Sequence, residues 1–150
     1  RSCVLFQILT SENLKKWCMA KPFESSELCV RGADVVVTAT FATEPIIEAA
    51  WLQPGAHINA VGAGKCHHCE LPLDVYRRAT LVVDTLASAR EELRGLVSSG
   101  IELFCELGEI INGARKLPGT SQFTVFHGMG MSLEDVATAE HLYQQLAKHK

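Results

Sequence analysis

Two clusters of small and hydroxylated residues could do chemistry at a shared edge. Thr38-Ala39-Thr40 closes a β-branched run that starts at Asp34, and Val61-Gly62-Ala63-Gly64 closes a second that starts at His57. In an open parallel α/β sheet ligands lie outside the carboxyl ends of the strands, so both clusters are candidates for holding a flat polar ligand. Other groups invite a chemical reading as well. Cys66-His67-His68-Cys69 offers thiolates and imidazoles, which zinc prefers, but one C-x-x-C is half a site and no second pair follows. A divergent loop outranks zinc there, and no metal site is expected. Asp84 ends a strand-like run where it can face a ligand or cap the next helix, and capping is preferred. Glu102, Glu106 and Glu109 recur at three- and four-residue spacing with no His among them, which favours a solvated face or structural contacts. His127, between Phe126 and Gly128, is the best-placed imidazole for a polar contact with a ligand.

The elements that would position these residues alternate. Cys3 to Leu9 reads as a strand, followed by a short helix capped at Thr10 or Ser11 and ended by Pro22. Ser25 or Ser26 caps a further turn to Val30, which Gly32 stops. Asp34–Thr40 is a strand, Pro45 opens a helix that ends before Pro54, and His57–Val61 is a strand. A short helix over Pro72–Ala79 leads to a strand at Thr80–Asp84 and an amphipathic helix over Leu86–Val97. Apolar residues at 101, 103, 104, 107, 110 and 111 predict a helix over Ile101–Ile111. Phe123–Phe126 is a short β-like piece. A last helix, Ser132 to Ala147, carries an apolar stripe of Leu133, Val136, Ala139, Leu142, Tyr143 and Leu146. The pattern predicts an α/β fold: a partial doubly wound parallel sheet without its first strand and Gly-rich loop, since no G-x-G-x-x-G occurs.

Bulk composition narrows the function classes. The 150 residues are 47% hydrophobic and 21% charged, enough for one globular core. A net charge of −3 leaves no electrostatic footprint for nucleic acid. No apolar run approaches the ~18 residues that a membrane span needs. The six scattered cysteines, several inside apolar segments, point to a reducing compartment and so to the cytoplasm. The chain opens at Arg1 almost directly on a strand-like run, which suggests a fragment of something longer.

With those residues in view, the chain resembles the ornithine cyclodeaminase and mu-crystallin family. The likeness lies in Gly32 to Thr40, Thr43-Glu44-Pro45-Ile46, Trp51 to Ala63 and Leu81 to Asp84. It continues in Ser99 to Gly113 and Thr124 to Asp135, and its flavour is that of the animal mu-crystallin branch. The resemblance implies an NAD(P)H-dependent reductase of cyclic ketimines, with thyroid hormone as a further ligand of that branch and a homodimer as its assembly. The alternative is a crystallin-like binding or structural protein without turnover. By the same resemblance, 1–126 would be a partial dinucleotide-binding domain and 127–150 a helix that packs toward an N-terminal domain, so that Leu133, Val136, Tyr143 and Leu146 are predicted to be exposed in the isolated chain.

Site residues follow position by position. Thr10, Thr38, Ala39, Thr40, Val61 and Gly62 match cofactor-binding positions, and Gly64 and His127 fall at the substrate side. Ile8 and Leu9 stand where the family has Asn and Arg, which removes the partner of a 2′-phosphate and leaves NADPH and NADH both open. Gly64 occupies the place of the cyclodeaminase Asp. Without that base no water is activated, so reduction rather than ornithine cyclisation is implied.

Overall fold

The computed structural model describes residues 23–62, 69–119 and 121–147. Strand Cys3–Leu9, the helix after it and the candidate residues Thr10 and Gly64 lie outside that set. The described elements are α1 (Ser26–Val30), β1 (Val35–Thr38), β2 (His57–Ala60), α2 (Leu73–Arg78), β3 (Ala79–Val83) and α3 (Leu86–Glu92). They continue as α4 (Arg94–Ser98), β4 (Cys105–Glu106), α5 (Leu107–Ile111), β5 (Phe123–His127) and α6 (Ser132–Ala147). All neighbouring strands are parallel, in the order β1-β2-β5-β3-β4.

Side-chain alternation decides which face is sealed. In register, Val36, Ile58, Val125 and Leu81 form one row across the sheet, each at most 2% exposed. Val75 and Tyr76 of α2, Ala89 of α3 and Leu96 of α4 are buried in the same core. The opposite face is more open. His57, Asn59, Thr124 and Phe126 are half-buried there and border a groove of ≈ 280 Å³ closed by Leu107, Ile110 and Leu117.

Local signals hold at several element ends. The Ser25 hydroxyl accepts from the Leu28 amide at 3.3 Å and caps α1. Gly32, at φ +75°, turns the chain from α1 into β1, a left-handed conformation that glycine adopts without a Cβ clash.

Four expectations are corrected. Past Pro45 there is only a 3₁₀ turn at Ala49–Trp51, because the Ile46 amide is drawn to the carbonyl of Glu70 at 2.9 Å and Ile47 is buried. The single helix over Leu86–Val97 is two, α3 and α4. They meet at Leu93, whose φ −100° and ψ 21° interrupt the helix while its side chain is fully buried. Ile101–Ile111 is no continuous helix either. Phe104 donates its amide to Leu81 at 2.8 Å and Cys105 pairs with Val82, so this stretch is spent on an edge strand before α5 begins. Phe123–Phe126 extends to His127 and lies at the centre of the sheet, bonded to β2 and β3 on either side.

Candidate functional site

Parallel pairing brings the two clusters side by side. Thr38 stands opposite Ala60, and the Val61 amide donates to the Thr38 carbonyl at 2.8 Å, carrying the ladder one step beyond the strands. Ala39 and Val61 are exposed at this rim and Thr40 is half-buried. Thr38 reaches the rim through its carbonyl only. Its hydroxyl is buried on the helix-covered side and has no hydrogen-bond partner.

Beneath the rim lies a residue that the motifs had not singled out. Glu70 is 2% exposed, and its Oε1 accepts from the Thr40 amide at 2.6 Å and from the Thr40 hydroxyl at 2.7 Å. Its Oε2 accepts from the Gly62 amide at 2.9 Å. A buried carboxylate is costly unless its oxygens find donors. Here both oxygens are satisfied by groups from two different strand tips, so the carboxylate fastens one to the other. The contact also explains the glycine. A Cβ at position 62 would overlap the Glu70 carboxyl group. The sequence held one signal for this: a lone acid between Cys69 and Leu71-Pro72-Leu73, inside an otherwise apolar stretch.

The rest of the rim is fastened in the same manner. Asp84 is 8% exposed and, contrary to the expectation that it caps the next helix, does not cap α3; Thr85 does, accepting from the Ser88 amide at 3.3 Å. Asp84 Oδ1 accepts from the Thr85 amide at 2.7 Å, while Oδ2 accepts from Met129 at 2.8 Å and Gly130 at 2.9 Å. The aspartate is drawn away from the helix because the loop after β5 offers two amides at once. Glu106 accepts from the Leu86 amide at 2.8 Å, and Glu109 accepts from the Glu106 amide at 3.0 Å in a capping box over α5. These two glutamates are structural contacts, one on β4 and one on α5, rather than members of one helix face.

His127 ends β5 in the same row as Thr38, Ala60 and Val83. It is fully buried, its ring stacked on Tyr76 with centroids 6.3 Å apart and planes at 16°. Burial, with the Glu70 charge adding to it, pushes the Tyr76 phenol far above its ordinary pKa. Its hydroxyl is buried and unpartnered. Of the Cys66–Cys69 tetrad only Cys69 is described, and it is disulfide-bonded. Among the described residues no group of three or more His, Cys, Asp or Glu could hold a metal. No described helix is long and apolar enough to cross a membrane.

A parallel sheet with helices, whose small and hydroxylated tips meet along one carboxyl rim, defines an α/β domain of the dinucleotide-binding class. Residues 16–150 match the ornithine cyclodeaminase/mu-crystallin family, and the chain belongs to it. It is 40% identical over 146 residues to the ketimine reductase mu-crystallin of Mus musculus, covering 94% of this chain and 46% of that protein. Among solved structures it is similar to an archaeal alanine dehydrogenase dimer with bound NAD, at a TM-score of 0.75 and 29% identity. That match covers 93% of this chain and 46% of the other. It is also similar to Thermococcus litoralis Δ1-pyrroline-2-carboxylate reductase in complex with NADH and L-proline. There the TM-score is 0.70 at 27% identity, over 85% of this chain and 42% of the other. The chain thus spans somewhat less than half the length of these proteins.

Proposed function

We propose that this chain forms the nicotinamide-side half of an NAD(P)H-dependent reductase of cyclic imines derived from amino acids. The observation that carries the proposal is the shared rim: β1 and β2 are adjacent and parallel, and Glu70 ties Thr40 to Gly62. Support comes from the relatives, one named a ketimine reductase and one solved with NADH and L-proline.

The residues present fit a nicotinamide nucleotide. Ala39, Thr40, Val61 and Gly62 would border the ring, with Thr38 behind them, and Thr10 would serve the adenosine end. When bound, the reduced cofactor supplies a hydride for the carbon of a C=N bond, and a proton on nitrogen completes the amine. The chain's own part is positioning. Exposed Val61 and Ala39 offer an apolar, water-excluding surface, and the stapled tips hold it rigid before the ligand arrives. By the family match Gly64 would fall on the substrate side, and His127 would back that side from the end of β5. A homodimer, which the dimeric neighbour supports, and a cytoplasmic location belong to the same proposal.

The test is a fluorescence titration of the full-length protein with NADH and NADPH, followed by an assay for reduction of a five- or six-membered cyclic imine carboxylate. Saturable binding with turnover is expected. Absence of binding up to about millimolar cofactor would overturn the assignment, since that corresponds to only ~4 kcal/mol.

A further inference from the structure

We propose that Glu70 is a positioning residue for the cofactor rim: its buried carboxylate sets the spacing of the Thr40 and Gly62 tips and so shapes the surface on which the nicotinamide ring rests. This deepens the reductase assignment and rests on it. Three observations converge. Glu70 comes from the segment before α2, outside both strands, so neither strand's own ladder accounts for the contact. It takes up the amides of both tips, at 2.6 and 2.9 Å, donors that would otherwise point into the rim unsatisfied. Finally, the atoms that a side chain at position 62 would meet first are those of this carboxyl group.

The arrangement has a chemical corollary. Amides at strand tips and turns commonly gather into anion cradles. Here the cradle between β1 and β2 is filled by the protein's own carboxylate. Phosphate is therefore kept away from this stretch, and the rim is left to a ring that carries no negative charge. The Thr40 hydroxyl adds specificity, because it donates to Glu70 at 2.7 Å and accepts from the Ala42 amide at 3.1 Å. That pair fixes the first turn after the rim.

The decisive experiment uses the full-length protein and two independent readouts. Amide hydrogen exchange at Thr40 and Gly62 reports the staple itself, whether or not any cofactor binds. NADH titration and the kcat against KM split report its consequence. In Glu70→Ala both amides should lose protection and NADH should bind about tenfold more weakly or worse, with the loss falling on cofactor KM. Glu70→Gln keeps one acceptor oxygen but presents an amide donor to one tip, so only one of the two amides should lose protection. Gly62→Ala should weaken NADH comparably in the wild-type background and add little in Glu70→Ala, since the overlap is then gone. Unchanged protection in a folded Glu70→Ala protein would overturn the staple. Lost protection with unchanged NADH affinity would overturn the positioning role. A wild-type protein with both amides protected but no affinity for NADH or NADPH would overturn the reductase assignment, and the positioning role with it, while leaving the staple standing. If Glu70→Ala fails to fold, Glu70→Gln and Gly62→Ala carry the same comparison.

Discussion

The carboxyl rim of the sheet and helix α6 are both legible as regular, apolar-patterned segments, yet they end in opposite conditions. At the rim, the acidic side chains of Glu70, Asp84 and Glu106 take up backbone amides of neighbouring segments, and the row beneath them is at most 2% exposed. Helix α6 runs for 16 residues with none buried, and Leu133, Val136, Leu142, Tyr143 and Leu146 are 57–75% exposed. The first region is closed by contacts within the chain. The second carries an apolar stripe that the described residues do not cover, as the family resemblance implies for an isolated chain. Regular periodicity shows that a segment wants a partner; it does not show whether the partner is at hand.

Four perturbations would break or sharpen that contrast. Val125→Asp, at the fully buried centre of the sheet, should cost more than about 4 kcal/mol, because an unpaired charge has no relief there. Loss of cooperative urea unfolding at 25 °C would register it. Asp84→Ala leaves three amide donors unmet and should cost about 2–3 kcal/mol by urea midpoint, with faster exchange at Met129 and Gly130. A change below about 0.5 kcal/mol would mean that the rim is held by packing rather than by its carboxylates.

Tyr76 gives a pH-dependent version. Its folded pKa is raised by burial, so the unfolded chain releases its proton first. Stability from this group is complete below about pH 10 and is lost as pH rises above that value. Tyr76→Phe should flatten the decline between about pH 10 and 11. At pH 7 it should be neutral or stabilising by up to about 1 kcal/mol, since it deletes a hydroxyl with no partner. The smallest effect belongs to α6. Leu142→Glu with Leu146→Glu should shift the unfolding midpoint by less than about 0.5 kcal/mol. The same pair should abolish any concentration-dependent self-association seen by light scattering. A large loss of monomer stability instead would show that α6 packs on its own domain.

Legibility differed by residue. The segments Val35–Thr38, His57–Ala60 and Ala79–Val83 were visible because β-branched and aliphatic runs stop at small or polar residues. Their parallel pairing follows from the alternation of strand-like and helix-like segments, although the connection from β1 to β2 holds only a 3₁₀ turn. Ile101–Ile111 misled because a three-and-four spacing of apolar residues also arises when a buried Ile101, a two-residue strand and a five-residue helix follow one another. The central place of Phe123–His127 was not legible. Strand order is set by long-range pairing, which no local window contains. At the site, Thr40 and Gly62 were found through the rim they share, while Glu70 was missed because its partners lie 30 and 8 residues away. Asp84 was read as a cap since sequence shows the adjacent helix and not the loop after β5.

One consequence follows from where β1 falls in the strand order. It stands at the end of the described sheet, so among the described residues the strand that contributes half of the stapled tips has a neighbour on one side only. Its outer main-chain donors and acceptors form a template for strand addition. A segment docked along Val35–Thr38 would gain those bonds and would lie beside Thr40. A strand added there would lengthen the candidate rim as well as the sheet.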